Sequence, residues 1–216
     1  MITMFKRYLA SKKFFWKYRH ILQKNIFIKS YGNVPKNHFD NIFDNLSVNS
    51  VLDFGCATGE KLDYFVKKGA SSIYGIDINP IALSTAKKKL TSYNINCEFN
   101  NSISELNIIN FLKKNKVKKF DLIFFDRVLY ILDNKELNFV LNIFLKMTKY
   151  IYIDDFFLEK KSKNNFMNRL NIKGYIHTDF DKILKNANFR LTESNLSPYS
   201  KVKFANAKFA LYEHSG

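Results

Sequence analysis

The sequence predicts an α/β protein built on a doubly wound, seven-stranded sheet that is mostly parallel and ends in an antiparallel C-terminal hairpin. From residue 50 onward, short apolar segments alternate with helical segments, which is the pattern of a parallel sheet covered on both faces. Glycines follow the first apolar segment, where a strand turns tightly into a helix. The last two apolar segments are joined by a short link containing Ser-Pro, which favours a hairpin.

Seven segments have the composition of buried strands. The clearest is Phe120–Phe125, an apolar run bounded by a basic loop and by Asp126. The full set of predicted strands is Val51–Phe54, Ser72–Asp77, Ile95–Phe99, Phe120–Phe125, Tyr150–Ile153, Phe189–Leu196 and Phe204–Tyr212. The first five alternate with helices and are therefore expected to run parallel.

Capping residues mark the starts of the helices between these strands. Pro80 occupies a first-turn position, where its missing N–H costs nothing. Asp133 and Glu136 have the spacing of a capping box. The predicted helices end at Lys67 after the glycine turn, begin at Asn79-Pro80, Ser102 and Asp133, and extend from a cap at Thr178 to Asn188. The polar segment Glu159–Lys173 interrupts the pattern and is interpreted as an insertion.

Two regions are expected: a basic helical leader at residues 1–46 and one main domain at residues 47–216. A length of 216 residues suits one substantial domain. Apolar residues follow a helical spacing in the leader, with lysines interleaved: Phe5, Tyr8, Leu9, Phe15, Trp16 and Leu22. The leader is interpreted as a helix packed on the main domain. A lid over a substrate pocket and a helix lying on a membrane or other anionic surface are the alternatives.

The composition argues against several classes of protein. A hydrophobic fraction of 46% with few Gly and Pro residues excludes a disordered chain. No apolar stretch approaches the roughly 20 residues of a membrane-spanning helix. Basic residues interrupt the N-terminus, so a cytoplasmic protein without a signal peptide is expected. Cys56 and Cys97 match no metal-binding or redox spacing and are expected in buried positions.

The net charge of +16 has two interpretations. Basic surfaces gain free energy by releasing counterions from phosphates, which would favour nucleic acid or another anionic partner. The chain is also rich in Lys, Asn, Ile and Phe together, a mixture that AT-rich coding alone produces. The charge therefore bears on association rather than on fold.

The stretch 51–60, Val-Leu-Asp-Phe-Gly-Cys-Ala-Thr-Gly-Glu, carries the strongest functional signal. In a doubly wound sheet, ligands bind at the carboxyl ends of the strands. Gly55, Ala57 and Gly59 are small enough to let backbone N–H groups approach a ligand there. Asp77 ends the next strand, and an acidic residue about 20 positions on is what binding a ribose diol requires.

These segments resemble the first two motifs of class I S-adenosylmethionine-dependent methyltransferases, a family with a Rossmann-like fold. The second motif is matched by Gly75-Ile76-Asp77-Ile78-Asn79-Pro80. Phe120-Asp121-Leu122-Ile123, ending in Asp126, is similar to the family's fourth-strand motif, and Val128-Leu129-Tyr130-Ile131 is similar to the segment after it. The resemblance covers residues 48–213. It implies an enzyme whose main domain binds S-adenosyl-L-methionine.

The resemblance also implies roles for individual residues. The methionine part of the cofactor would be surrounded by Asp53, Gly55, Cys56, Ala57 and Gly59. The ribose hydroxyls would bind Asp77, and the adenine would contact Ile78, Asn101, Ser102 and Ile103. Asp126 and Arg127 would lie beside the sulfonium and the incoming nucleophile.

A nicotinamide-dependent dehydrogenase is the competing interpretation of the same architecture. Such enzymes usually have three glycines, which let a helix N-terminus receive a pyrophosphate. Here Glu60 directly follows Gly59 and would repel phosphates. S-adenosylmethionine has no phosphate and carries cationic sulfonium and ammonium groups, so the sequence favours a methyltransferase.

Catalysis of methyl transfer rests largely on placing the nucleophile in line behind the methyl group. A hydroxyl nucleophile also needs a base within hydrogen-bond reach. The candidates near strand ends are Asp126, Asp154, Asp155, His177 and Tyr130. Each also has a simpler interpretation as a turn cap, a helix start or the beginning of a loop. The remaining histidines are interpreted as surface or packing residues: His20, His38 and His214.

A magnesium site is an open alternative at the same strand ends. Asp126 with the pair Asp154 and Asp155 would offer oxygen ligands for Mg²⁺, as in catechol-type O-methyltransferases. The segment Val128–Ile131 resembles metal-independent relatives instead, so no metal is assigned.

No motif in the sequence encodes the methyl acceptor. Asn-Pro-Pro-Tyr and Asp-Pro-Pro-Tyr are missing after the fourth strand, which disfavours methylation of adenine amino groups, and no Pro-Cys nucleophile for pyrimidine C5 is present. A small molecule or a sugar unit is therefore expected, with O-methylation favoured over N-methylation. An RNA methyltransferase that uses the basic surface and a non-catalytic Rossmann-like binding scaffold are the alternatives.

Overall fold

The computed structural model describes residues 12–22, 38–158, 169–172, 175–198 and 207–216. The helices within these ranges are α1 (Lys13–Leu22), α2 (His38–Phe43), α3 (Glu60–Lys67), α4 (Pro80–Leu90), α5 (Glu105–Lys114), α6 (Asn134–Phe144) and α7 (Phe180–Asn186). The strands are β1 (Ser50–Phe54), β2 (Ser72–Ile76), β3 (Asn96–Asn100), β4 (Phe120–Asp126), β5 (Thr148–Phe156), β6 (Arg169–Ile172), β7 (Tyr175–Thr178), β8 (Phe189–Leu196) and β9 (Ala207–His214). A single 3₁₀ turn, Leu129–Ile131, follows β4 in this described part.

The main sheet has seven strands in the order β3-β2-β1-β4-β5-β9-β8. The first five of these are parallel neighbours. Strand β9 runs antiparallel to both β5 and β8. The predicted fold class is therefore confirmed, including the closing hairpin.

The sheet is covered on both faces by apolar helix surfaces. Helices α5, α6 and α7 contribute Ile108, Leu141 and Leu184 to one buried cluster. Helices α2, α3 and α4 cover the other face, where Phe43 and Phe65 pack against the sheet. This arrangement leaves the carboxyl edge of the parallel strands as the place where loops can bind a ligand.

Strand register brings the predicted polar residues together at that edge. Asp53 in β1 is paired with Phe124 in β4, two residues before Asp126. Asp126 is in turn paired with Asp154 in β5. Since side chains alternate across a strand, Asp53, Asp126 and Asp154 all project from the sheet face that α2 and α3 cover.

Most predicted boundaries agree with the structure, and the Asp133–Glu136 capping box is confirmed by both of its hydrogen bonds. The prediction that Thr178 caps the next helix is wrong. Thr178 belongs to β7, and the side chain of Asp179 accepts the capping hydrogen bond from the backbone N–H of Lys182. The shift arises because Thr178 pairs with Arg169 across a hairpin.

The hairpin of β6 and β7 was not predicted. It begins inside the polar segment Glu159–Lys173, of which residues 159–168 and 173 lie outside the described ranges. Cys56 is buried as expected, but Cys97 is only half-buried because β3 forms the edge of the main sheet.

Two helices of the leader, α1 and α2, lie within the described ranges. Residues 1–11 and 23–37 lie outside them. None of the described helices is both long and apolar enough to cross a membrane.

Candidate functional site

The turn after β1 has a backbone that only small residues adopt readily. Gly55 and Gly59 have φ values of +87° and +79°, and Ala57 lies at +47°. A Cβ atom on Gly55 would come within 2.9 Å of the Val128 side chain. The turn therefore passes close to the loop after β4, as required for a ligand shared between the two loops.

Asp77 joins this turn to the end of β2. One carboxylate oxygen accepts the Ala57 backbone N–H at 2.8 Å, and the other accepts the Asn79 N–H at 2.8 Å. A carboxylate has about four lone-pair sites, so both oxygens keep capacity for a diol. Asp77 thus holds the turn in place and still presents acceptors to a ligand.

The residues predicted around an adenine lie on the neighbouring loops. Ile78 follows Asp77 and is half-buried. Ser102 and Ile103 are also half-buried, in the loop after β3. Two hydrogen bonds between the Asn100 side chain and the Ser102 backbone stabilise this loop. Asn101 is exposed. The structure therefore brings these residues to the same edge as the glycine turn.

Asp53 is a buried carboxyl group that lacks a hydrogen-bond partner among the described residues. Burial raises its pKa to about 7, and the charge of Lys61 opposes this shift. Such a group costs free energy unless a cation compensates it. The site therefore fits a ligand with a positive charge at this point, as S-adenosylmethionine has in its ammonium and sulfonium groups.

Lys61 is a site residue that the sequence analysis missed. It lies in the first turn of α3 and is 4% exposed. Its Nζ atom is 2.7 Å from Asp126 Oδ2, and both side chains are buried. A lysine at a helix start is usually solvated, so only the tertiary structure reveals this buried ion pair.

Arg127 links the ends of β4 and β5 to the C-terminal hairpin. Its Nε atom donates to Asp154 Oδ1 at 2.7 Å, and its Nη2 atom donates to Ser197 Oγ at 2.8 Å. Ser197 Oγ donates to the second oxygen of Asp154 at 2.8 Å. Arg127 has a φ of +54°, a left-handed conformation that a non-glycine residue adopts at a cost.

Asp155 faces away from this network. Its Oδ2 accepts the backbone N–H groups of Leu129 and Tyr130, and its Oδ1 accepts that of Phe156. Burial raises the pKa of Asp155 to about 6, and these N–H groups oppose the shift. Asp155 therefore anchors the 3₁₀ turn, and no group of metal-ligating side chains occurs in the ranges that the structure describes.

Tyr130 and His177 belong to an aromatic cluster above β5. The Tyr130 ring meets the Phe156 ring edge-on at 5.2 Å, and Tyr175 stacks on Phe156 at 4.5 Å. His177 is 3% exposed, with its ring 5.4 Å from Phe156 and its Nδ1 atom 3.2 Å from the carbonyl oxygen of Tyr175. The Arg127 guanidinium lies 5.2 Å from the same Phe156 ring.

Helix α1 crosses the carboxyl edge. The carbonyl oxygen of Trp16 accepts a hydrogen bond from Asn79 Nδ2 at 3.0 Å, next to Asp77. Lys13 forms an ion pair with Glu136 of α6. The Trp16 side chain packs against the cluster of Tyr130, Phe156 and Ala207. The helix therefore spans from the β2 loop to the segment after β4, above the predicted site.

Together these groups form an acidic site with the chemistry to bind a nucleoside that carries cationic groups. A diol acceptor, a strained turn with accessible N–H groups and a buried unpaired carboxyl lie on adjoining strands. The arrangement can bind such a ligand over β1 and β2 and admit a second molecule beside β4 and β5.

Comparisons with known proteins indicate the family to which the chain belongs. A family model described as a methyltransferase domain matches residues 45–206. Over 76 residues, the chain is 38% identical to a relative from Methanocaldococcus jannaschii that is named as a protein N5-glutamine methyltransferase. The match covers 35% of this chain and 34% of that relative, about a third of its length.

Two solved structures are similar over most of both chains. A magnesium protoporphyrin IX methyltransferase from Synechocystis PCC 6803, bound to S-adenosylhomocysteine, is 18% identical with a TM-score of 0.60 and covers 90% of this chain and 87% of its own. An N-methyltransferase from Bradyrhizobium japonicum WM9 with the same ligand is 15% identical with a TM-score of 0.57. The match covers 90% of this chain and 91% of that protein. These likenesses establish the fold. With the family match over most of the sequence, the chain belongs to the class I S-adenosylmethionine-dependent methyltransferases.

Proposed function

We propose that this methyltransferase acts on a small molecule or a sugar unit and methylates oxygen in preference to nitrogen. The observation that carries the proposal is that α1 and β7 cover the carboxyl edge at β4 and β5. Helix α1 crosses this edge, and β7 brings Tyr175 onto Phe156 beside Arg127. A covered edge that presents aromatic rings and a few polar groups suits a small acceptor better than a macromolecule.

The cofactor assignment in this proposal follows the described contacts. When bound, S-adenosylmethionine supplies a methyl group activated by its sulfonium. Asp53 offers an uncompensated carboxyl to the cationic methionine part, and Asp77 offers lone pairs to the ribose. The remaining proposed contacts are Gly55, Cys56, Ala57, Gly59, Ile78, Ser102, Ile103, Asp126 and Arg127.

The acceptor is proposed to lie against Asp126, Asp154, Tyr130 and His177. A hydroxyl keeps its proton at neutral pH and must lose it during methyl transfer, so an acceptor site for oxygen needs proton acceptors nearby. Carboxylates and an imidazole meet that need. The magnesium protoporphyrin relative, which is named for a small-molecule acceptor, supports the same size class.

RNA is the second candidate because one surface is strongly basic. Lys113, Lys114, Lys116, Lys118 and Lys119 are all exposed, at the end of α5 and in the loop before β4. That loop enters β4 at the amino edge of the sheet, opposite the glycine turn. A polyanion bound there would lie away from the site, so the proposal assigns this charge to association or solubility.

The test measures S-adenosylhomocysteine release with three acceptor pools: hydroxyl and sugar compounds, small amines, and total RNA. The proposal predicts release above background with the hydroxyl pool. Asp77→Ala serves as the background control, since it removes the ribose contact. Turnover with amines alone would contradict the oxygen preference, and turnover with RNA alone would contradict the small acceptor.

A further inference from the structure

The position of the acceptor is constrained by the geometry of the reaction. Displacement at carbon is in line, so the acceptor approaches the methyl group from the side opposite the sulfur. The glycine turn and Asp77 place the cofactor over β1 and β2. The acceptor side is then over β4, β5 and β9, the next strands in the sheet.

His38 lies over these strands. It is the first residue of α2, and its Nε2 atom is 3.2 Å from the hydroxyl of Tyr152 in β5. Its ring contacts Phe209 of β9 edge-on at 4.8 Å. Asp126 at the end of β4 is near enough for its charge to act on the imidazole. His38 therefore contacts β5 and β9 and lies within electrostatic range of the end of β4.

Tyr152 gives this histidine a fixed partner. The Tyr152 ring stacks on Phe124 at 4.4 Å and 10° and lies nearly parallel to Phe209 at 5.9 Å. It is 1% exposed. The hydroxyl position is set by two flanking rings, so the hydrogen bond to His38 is made from a rigid support.

Two carboxylates on the same face, at the ends of β4 and β5, are already engaged. Asp126 is ion-paired with Lys61, and Asp154 is held by Arg127 and Ser197. Each of these carboxylates is therefore already bound to a neighbouring cation. His38 is half-buried and carries no such ion pair among the described contacts.

We propose that His38, oriented by Tyr152, takes the proton of the methyl acceptor, an assignment that rests on the proposed function. A lone pair of the acceptor forms the bond to the methyl carbon, and the carbon–sulfur bond breaks with its electron pair on sulfur. The acceptor proton passes to Nδ1 of His38 and then to solvent. Atoms and charge balance without a further reactant.

The surroundings of His38 favour its neutral form. Burial lowers its pKa, and the charge of Asp126 opposes this shift. Among the described residues, the other groups that face it are the Tyr152 hydroxyl and apolar rings, while Asp40 on the same helix is bound by Lys68. A neutral imidazole at neutral pH can accept a proton.

The proposal makes Tyr152 a positioning residue. When Nε2–H donates to the Tyr152 hydroxyl, the lone pair is on Nδ1. Tyr152→Phe keeps the ring stack and removes only this hydrogen bond. Tyr150→Phe is the matched control, because Tyr150 lies two residues before Tyr152 in β5 and on the same face of the sheet.

The experiment is an NMR titration of the full chain with ¹⁵N-labelled histidine side chains, with His38→Gln used to assign the His38 signals. Complexes with S-adenosylmethionine and with S-adenosylhomocysteine are compared, since only the first carries the sulfonium charge. We expect the pKa of His38 to be lower in the first complex by about 0.5 or more, as for a charge within about 10 Å. In the wild type, the neutral His38 ring should carry its proton on Nε2. Tyr152→Phe should lose this preference for Nε2 over Nδ1, and Tyr150→Phe should keep it.

His214 gives an internal control, because it ends β9 at the opposite edge of the sheet. Its signals should be the same in both complexes. If both ligands bind but His38 has the same pKa in the two complexes, the assignment of His38 is overturned while the proposed function stands. The same holds if the neutral His38 of the wild type carries its proton on Nδ1. Failure of either ligand to bind, measured by calorimetry beforehand, would instead overturn the proposed function.

Discussion

Asp53 is the residue whose surroundings most clearly require a ligand. It is 1% exposed, lies near the negative charges of Asp126, Asp77 and Glu60, and has no hydrogen-bond partner among the described residues. The folded chain keeps this group despite the cost of burying it, and a bound cation would recover that cost.

Cofactor affinity should therefore depend on pH through Asp53. Burial raises its pKa to about 7 in the free protein, and a bound ammonium favours the ionised form. Binding therefore releases a proton from Asp53. The affinity for S-adenosylhomocysteine should rise by about tenfold as the pH increases from 5.5 to 7.5. Calorimetry across this range measures the effect.

Asp53→Asn is the variant that tests this dependence. We expect weaker binding at pH 7.5 and a much flatter pH profile, with a thermal melt showing that the variant folds. The same steep profile in Asp53→Asn and the wild type would place the titrating group elsewhere.

Some site residues could be predicted from sequence and others could not, for physical reasons. Asp77 and the glycines stand at fixed offsets from predictable strands, so local pattern locates them. Lys61 and His38 gain their places through contacts with residues far along the chain, Asp126 and Tyr152. Their own neighbours in sequence give no signal of burial.

At the level of elements, prediction succeeded where local chemistry decides the structure. The capping box at Asp133 begins α6 as expected, and Asn79 caps α4 ahead of Pro80. The hairpin of β6 and β7 was missed because its flanking sequence is polar. It depends on Arg169, which donates to the Leu129 carbonyl oxygen and to Thr178 Oγ1.

Helix α1 is the element that we propose as a lid, and Trp16 reports on it. Trp16 is the only tryptophan of the chain, so intrinsic tryptophan fluorescence comes from this helix alone. Its backbone contacts Asn79, and its side chain packs against the cluster of Tyr130, Phe156 and Ala207. We expect saturating S-adenosylhomocysteine to shift or quench this emission, because the ligand lies beneath the helix.

Trp16→Phe removes the signal and provides the blank. Lys13→Gln weakens the ion pair to Glu136 and should raise the dissociation rate of the ligand measured by stopped flow. Emission that stays unchanged while calorimetry shows full binding would mean that α1 does not cover the site.

At the scale of the whole molecule, the fold was predictable because the strand and helix periods alternate along most of the chain. The sheet order and the edge at which the loops meet follow from that alternation and from the rules for parallel connections. The acceptor was not predictable, since the site that we propose for it lies among α1, the β6–β7 hairpin and side chains from several distant strands.

The central claim is that the edge formed by the glycine turn and Asp77 binds the methyl donor. The most direct test is calorimetry of S-adenosylhomocysteine binding to the wild type and to Asp77→Ala, with thermal melts to confirm that both fold. The account predicts saturable binding by the wild type and a loss of affinity of at least about tenfold in the variant. Equal dissociation constants for the two proteins, or no binding by a folded wild type, would contradict it.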